Sequence, residues 1–384
     1  MTEEFIKGVD VSMTLEVQEL DGKYFLEGEE RDLFEILVLK GINAVRLRVW
    51  VDPYDDKGKS YMGGTNDLAR TILLGKRAKK AGMKLLLNLH YSDFWTDPKK
   101  QAKPKKWEDL NGNELEEAVY LYTYDVLEEC RFNGLIPDWI QVGNEITNGM
   151  LWPEGKTPVY LSEKRKFEKV APEKEEAAYD RLSNFLYAGI RAVREFTRGK
   201  KEKEIPVILH LDYGGANDLY RKWFDEIGKR NVDFDIIGLS YYPFWHGSLD
   251  ELSVNMNDIS ERYDKEVMVV ETAYGFTTEP IPHGGQAIFS EDIAEKGGYP
   301  LSIEGQGQFL RDLMKVVNDV PNGRGGGVFY WEPAWLPVKG TSWASKAGME
   351  YGNDVAKGGN PWANLGLFDY DGNALKSLDV FGGG

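Results

Sequence analysis

The sequence predicts an α/β chain folded as a (β/α)8 barrel. Short β-branched or apolar runs recur along its 384 residues, and a longer segment of helical period follows each, the signature of repeated βα units around a parallel sheet. Eight such runs are present, the number that closes a barrel. Barrels with long βα loops often exceed about 300 residues as one unit, so residues 1–384 are expected to form a single domain with extended loops.

In chain order the expected strands are Ile6 to Val11, Ala44 to Val49, Lys84 to Leu89, Trp139 to Val142, Val207 to Leu211, Ile236 to Leu239, Val267 to Val270 and Gly327 to Tyr330. Between them the apolar spacing predicts helices over Arg31 to Lys40, Leu68 to Ala81, Glu114 to Phe132, Lys174 to Phe196, Leu219 to Lys229, a short piece near Asn257 to Tyr263, and Glu304 to Asn318. Glycines follow the first two, Gly41 and Gly82, where a helix C-terminus turns left-handed. A doubly wound open sheet is the competing architecture. Its phosphate-binding fingerprint is missing, because Gly323-Arg-Gly-Gly-Gly precedes a strand instead of following one.

The chain is 42% apolar and 12% aromatic, with 63 acidic against 47 basic residues and a net charge of −16. Such a surface repels phosphate backbones and anionic lipid heads, so neither nucleic acid nor membrane is an expected partner. The only cysteine, Cys130, lies in a helical pattern, which excludes a disulfide framework or thiolate zinc site within one chain. Charged runs at Glu163 to Lys166 and at 200–204 read as solvated faces or as the Lys and Glu enrichment of a heat-adapted protein. The first residues lack a signal-peptide apolar run, which places the chain inside the cell or outside after loss of a leader. No sticky strand or repeat is evident, and a monomer is expected.

In a barrel the strand ends at the C-terminal face carry the chemistry. Here they read Asp10-Val-Ser, Arg46-Leu-Arg-Val-Trp, Asn88-Leu-His90-Tyr-Ser-Asp-Phe-Trp95, Gly143-Asn144-Glu145, His210-Leu-Asp212, Ser240-Tyr241-Tyr242-Pro-Phe-Trp245, Glu271-Thr-Ala-Tyr and Tyr330-Trp331-Glu-Pro-Ala-Trp335. Glu145 and Glu271 each directly follow an apolar strand, the fourth and the seventh, and should face one cleft. Cleavage of a glycosidic bond with retention needs one protonated and one ionised carboxyl, roughly 5 to 5.5 Å apart. Either glutamate alone could equally be a structural ion-pair partner; together they favour catalysis. Arg46 would favour the charged form of Glu271, and an aromatic wall the neutral form of Glu145.

Other chemistries are less well served. The four histidines lack the short spacing of a metal motif, and no Gly-x-Ser-x-Gly elbow is present, so neither a metal nor another cofactor is expected. Most of the aromatics should be core. Strand-end indoles differ, because a pyranose stacks its C–H face on an aromatic ring, and Trp95, Tyr242, Trp245, Trp331 and Trp335 are candidate sugar platforms.

The longest of these stretches, Val142-Gly-Asn-Glu-Ile-Thr-Asn-Gly-Met-Leu-Trp-Pro, together with Lys7-Gly-Val-Asp-Val-Ser, Val45-Arg-Leu-Arg-Val-Trp, His90-Tyr-Ser-Asp-Phe-Trp, Ser240-Tyr-Tyr-Pro-Phe-Trp-His-Gly, Val270-Glu-Thr-Ala-Tyr-Gly and Phe329-Tyr-Trp-Glu-Pro-Ala-Trp, resembles the family 53 glycoside hydrolases, endo-β-1,4-galactanases of clan GH-A. The resemblance runs from Lys7 to the closing Leu367-Phe-Asp-Tyr-Asp-Gly-Asn. It implies a retaining enzyme that cuts β-1,4-galactan, the side chain of pectin and type I arabinogalactan, with Glu145 as acid/base and Glu271 as nucleophile. It further implies that Asn144 bonds the sugar 2-hydroxyl, that Arg46, His90 and Tyr241 orient Glu271 and the adjacent substrate, that Asp212 meets a hydroxyl in a neighbouring subsite, and that Trp331 floors the central one. Two departures stand out. Bacterial members often hold calcium on an Asp-x-Asp-x-His-x-Asn loop after strand seven, whereas this chain has Glu279-Pro-Ile-Pro-His283-Gly-Gly, too few oxygens for that ion. Tyr213 stands where relatives often have asparagine. Other members of the clan cut cellulose, mannan or xylan with the same glutamates, and a barrel that only binds carbohydrate would be expected to have lost one of the two.

Overall fold

Apolar β-branched and leucine-rich runs form an inner ring of eight parallel strands: β1 (Ile6–Asp10), β2 (Ala44–Val49), β3 (Lys84–Leu89), β4 (Trp139–Val142), β5 (Val207–Leu211), β6 (Ile236–Ser240), β7 (Glu266–Thr272) and β8 (Gly325–Trp331). The computed structural model describes residues 4–199, 204–283 and 287–383, so 200–203 of the second charged run lie outside the described residues. Each strand pairs with its neighbour in sequence, and β8 returns to β1, with Ile6 opposite Gly327 and Asp10 opposite Trp331. The chain is a (β/α)8 barrel, with every predicted strand in place.

Among the described residues, seven of the α-helices follow the strands around it: α1 (Leu33–Leu39), α2 (Leu68–Lys80), α3 (Gly112–Phe132), α4 (Pro172–Thr197), α5 (Asn217–Lys229), α6 (Leu249–Tyr263) and α7 (Ile303–Asn318). The expectation of only a short piece near 257–263 is corrected. The Ser248 hydroxyl and the Glu251 side chain form a reciprocal capping box that starts α6 early, and Leu252, Met256 and Ile259 bury one face of it. Where an eighth helix would stand, a 3-10 segment, Lys376–Gly382, fills the gap between α7 and α1. Ser377 Oγ donates to Gln306 Oε1 at 2.5 Å and Asp379 pairs with Lys40 at 2.5 Å.

Strand alternation sends successive side chains to opposite faces. Outward residues pack beneath the helices in one large core. The lower barrel interior is filled by Ile6, Ala44, Leu86, Trp139, Ile208, Ile236, Met268, Val270 and Phe329. Gly8 makes room for the Phe329 ring, which would lie 2.3 Å from any Cβ placed there. Continuing inward and upward, the same alternation brings Asp10, Arg46, Asn88, Gln141, His210 and Ser240 above this apolar plug, all of them buried.

β7 breaks the rule. Leu239 lies opposite Val269 and Ser240 opposite Glu271, so Val270 is an extra residue, a bulge of the kind that re-aims side chains beside active sites. Val270 and Glu271 therefore both face inward; strict alternation would have turned Glu271 toward the helices.

Candidate active site

Glu271, 7% exposed, is held by Arg46, whose Nη2 lies 2.7 Å from Oε1. The fully buried guanidinium spends its remaining donors on Asp10 Oδ2 at 2.9 Å, Asn144 Oδ1 at 2.8 Å and Gln141 Oε1 at 3.3 Å. Tyr242 donates to the other carboxylate oxygen of Glu271 at 3.4 Å. The expected role of Tyr241 in orienting Glu271 is corrected. Its hydroxyl donates to Gly247 O at 2.9 Å and its ring stacks near Phe309 of α7, because it follows the inward Ser240 and so points outward. Tyr242, next along, returns to the cleft.

Glu145 sits just past β4 in the left-handed conformation, φ 46° and ψ 52°, a strained position for a non-glycine residue. Tyr91, Tyr213 and Glu332, just past β3, β5 and β8, likewise have positive φ. Glu145 Oε1 accepts a 2.6 Å hydrogen bond from Ser240 Oγ. Asn144 is fixed at its carbonyl by Arg46 and by Asn88 Nδ2 at 2.9 Å, and at its amide by Thr96 O at 2.8 Å.

Burial pushes the Glu145 carboxyl well above the usual range, and the negative charges of Glu271 and Asp212 push it further; the Ser240 hydrogen bond pulls it partly back. Burial also raises Glu271, so Arg46 does not by itself set the charged form as the sequence suggested, but its positive charge opposes the rise. One carboxyl has a guanidinium beside it and the other only a hydroxyl, so a proton shared between them belongs on Glu145. Asp212, bonded to the Thr147 hydroxyl, is lifted by burial to about 8. Burial and the nearby charges of Arg46 and Arg48 hold His90 well below its usual range, hence neutral; its Nδ1 lies 2.8 Å from Thr96 Oγ1.

Sequence reading missed the second layer. Arg48 joins Asp10 at 3.0 Å and Glu332 at 2.7 Å, and its guanidinium lies over the rings of Trp95 and Trp331, 4.5 and 5.4 Å from their centroids. Trp362 packs edge-on to Trp331 at 4.8 Å and approaches Trp245 at 6.3 Å, so Trp95, Trp331, Trp362 and Trp245 form one wall. Trp245 is 48% exposed. Trp335 is corrected from platform to support: it is 3% exposed, lies edge-on behind Trp331 at 6.4 Å, and donates to Thr341 Oγ1 at 2.8 Å. Among the described residues no three His, Cys, Asp or Glu side chains gather as metal ligands, and Gly284 and Gly285 of the loop after β7 lie outside the described residues. Among the described residues no helix is long and apolar enough to cross a membrane.

A parallel barrel whose β4 and β7 ends bring two carboxyls of unequal environment under an indole wall has the architecture of a glycoside hydrolase. The family model described as Glycosyl hydrolase family 53 matches residues 6–381. The chain is 36% identical to the endo-beta-1,4-galactanase of Bacillus subtilis (strain 168) over 99% of this chain and 86% of that one. It is 34% identical to the arabinogalactan endo-beta-1,4-galactanase of Humicola insolens over 98% of each. The solved Ignisphaera aggregans GH53 catalytic domain matches with a TM-score of 0.86 and 40% identity, covering 98% of this chain and 95% of that one. The chain belongs to glycosyl hydrolase family 53.

Proposed function

We propose that this glycoside hydrolase cuts β-1,4-galactan internally by double displacement, with Glu271 as nucleophile and Glu145 as acid/base. The observation that carries the reading is the asymmetry of the pair: Glu271 is clamped by the Arg46 guanidinium while half-buried Glu145 has only a hydroxyl donor at its carboxyl. In the first step a Glu271 oxygen bonds the anomeric carbon, the glycosidic bond breaks, and the Glu145 proton goes to the leaving oxygen. In the second, Glu145 takes a proton from water, whose oxygen displaces Glu271 from the sugar. Asn144, whose amide retains one hydrogen beyond its bond to Thr96, would bond the 2-hydroxyl as charge develops at the ring. His90 and Asp212 would meet neighbouring hydroxyls, and Trp331, Trp95, Trp245 and Tyr242 would line the sugar path. The galactanase names of the full-length relatives support galactan as the polymer.

The test is product profiling on β-1,4-galactan beside β-mannan, xylan and carboxymethylcellulose, with the anomer of the first product followed by proton NMR. Short β-anomeric galacto-oligosaccharides from galactan alone are the expected outcome. Cleavage of another glycan instead would keep the two-glutamate chemistry and discard the substrate; an α-anomer would discard the mechanism.

A further inference from the structure

The Glu145 carboxyl is reached by a run of hydrogen bonds that begins at the other catalytic residue's clamp. Arg46 Nε donates to Gln141 Oε1 at 3.3 Å, which fixes the Gln141 amide with its nitrogen on the far side. That nitrogen shares its hydrogens among Asn88 Oδ1 at 2.6 Å, Gly143 O at 2.9 Å and His210 Nδ1 at 3.0 Å. The Glu145 backbone N–H also points at His210 Nδ1, at 3.3 Å. An imidazole nitrogen receiving two N–H donors must present its lone pair, so the ring proton is on Nε2. Nε2 then donates to Ser240 Oγ at 2.8 Å, and the Ser240 hydroxyl has one direction left, toward Glu145 Oε1 at 2.6 Å. His210 and Ser240 are both fully buried.

We infer that Ser240 and His210 are positioning residues for the acid/base: the donors run one way from Arg46 to Glu145 Oε1, so Oε1 is always an acceptor and the transferable proton resides on Oε2. This rests on the role proposed for Glu145. The arrangement solves a two-step problem. Glu145 must carry a proton in the first step and be a carboxylate in the second, and a donor aimed at one oxygen supports the carboxylate without competing for the other. Aligned hydrogen bonds in a low-dielectric interior polarise one another, which strengthens the terminal donor. The groups that act on Glu145 from other elements, Glu271 after the β7 bulge, Asp212 after β5 and Asp97 in the loop after β3, all favour its protonated form. Against these, the Ser240 hydroxyl favours the carboxylate.

Ser240→Ala tests this. Glutamate labelled with 13C at the side-chain carboxyl gives a Glu145 resonance, identified by its loss in Glu145→Gln, whose titration needs no substrate. Removing the donor should move that titration up by about one pH unit, carry the alkaline limb of the rate profile with it, and lower kcat roughly ten-fold. With activated aryl galactosides KM should fall alongside kcat, because the second step, which needs the carboxylate, becomes the slow one. Ser240→Thr restores the hydroxyl and should restore the titration. If Ser240→Ala folds poorly, Ser240→Cys keeps the volume with a weak donor and must shift the titration in the same direction. A folded Ser240→Ala or Ser240→Cys with an unmoved Glu145 titration overturns the inference. Inactivity of the unsubstituted protein on galactan would overturn the substrate reading alone, since the titration is independent of it.

Discussion

Arg46→Leu is the most informative substitution for the buried charge cluster. The guanidinium meets Glu271 at 2.7 Å, Asp10 at 2.9 Å, Asn144 at 2.8 Å and Gln141 at 3.3 Å, with no exposed surface. Asp10 would keep Arg48 and the Ser12 hydroxyl, but Glu271 would retain only the long Tyr242 contact. Removing one partner of a buried ion pair costs about 3–5 kcal/mol, and with Asp10 partly compensated the loss here should be about 4 kcal/mol. Arg46 opposes the burial that raises Glu271, so its removal raises that carboxyl further. A carboxyl whose folded value is raised stabilises the fold while protonated and loses that contribution as pH rises through the folded value. The gap between parent and variant should therefore be widest near neutral pH and narrow as pH falls and Glu271 is neutral in both. Chemical denaturation from about pH 8 down to about pH 4 measures this. A gap below about 1 kcal/mol, or one that ignores pH, would show that the cluster is not held by this charge pairing.

Four further outcomes are expected. Glu271→Ala should abolish turnover of galactan with the fold intact, whereas Glu145→Ala should still turn over aryl galactosides whose leaving group needs no proton; normal galactan turnover by either removes the assignment. Tyr242→Phe should lower kcat roughly ten-fold by freeing Glu271, while Tyr241→Phe loses only the bond to Gly247 O and should cost about 1 kcal/mol of stability with kcat unchanged. Exposed Trp245→Ala should raise KM with the melting temperature nearly constant; buried Trp335→Ala should instead destabilise by about 3–5 kcal/mol, and calorimetry beside kinetics separates the two. Asp212 is protonated in the fold up to about 8 against an ordinary 3.8, so its contribution is present below about 3.8 and lost as pH rises through about 8. Asp212→Asn should become progressively more stable relative to its parent across that window, and a pH-independent difference in Tm would contradict the burial argument.

The barrel was legible because each strand is a short apolar run whose two faces are both buried, and the strand bounds depart from the reading by no more than two residues. The start of α6 was legible as well, since Ser248 and Glu251 spell out a capping box and Leu249, Leu252, Met256 and Ile259 recur at helical spacing. Within the site, Tyr241 and Tyr242 could have been told apart by counting from inward Ser240, and resemblance outweighed that count. Gln141 carried a readable signal as the one polar residue in an apolar strand. The β7 bulge had none, since nothing in Val267-Met-Val-Val-Glu distinguishes a regular strand from one with an extra residue. The burial of Trp335 and the placement of Trp362 depend on how the long segment after β8 folds back, and spacing does not encode that.

The ring also divides the machinery between its halves. Arg46 and Gln141 lie on β2 and β4 with Glu145 just past β4, while His210, Ser240 and Glu271 belong to β5, β6 and β7. The donor run therefore crosses from the first half of the chain to the second between Gln141 and His210 and returns between Ser240 and Glu145. A polypeptide cut between β4 and β5 would yield two fragments that each hold one of the paired glutamates and a broken run of donors. Release of a coloured phenol from an aryl galactoside by the mixed fragments would thus report two half-barrels finding each other.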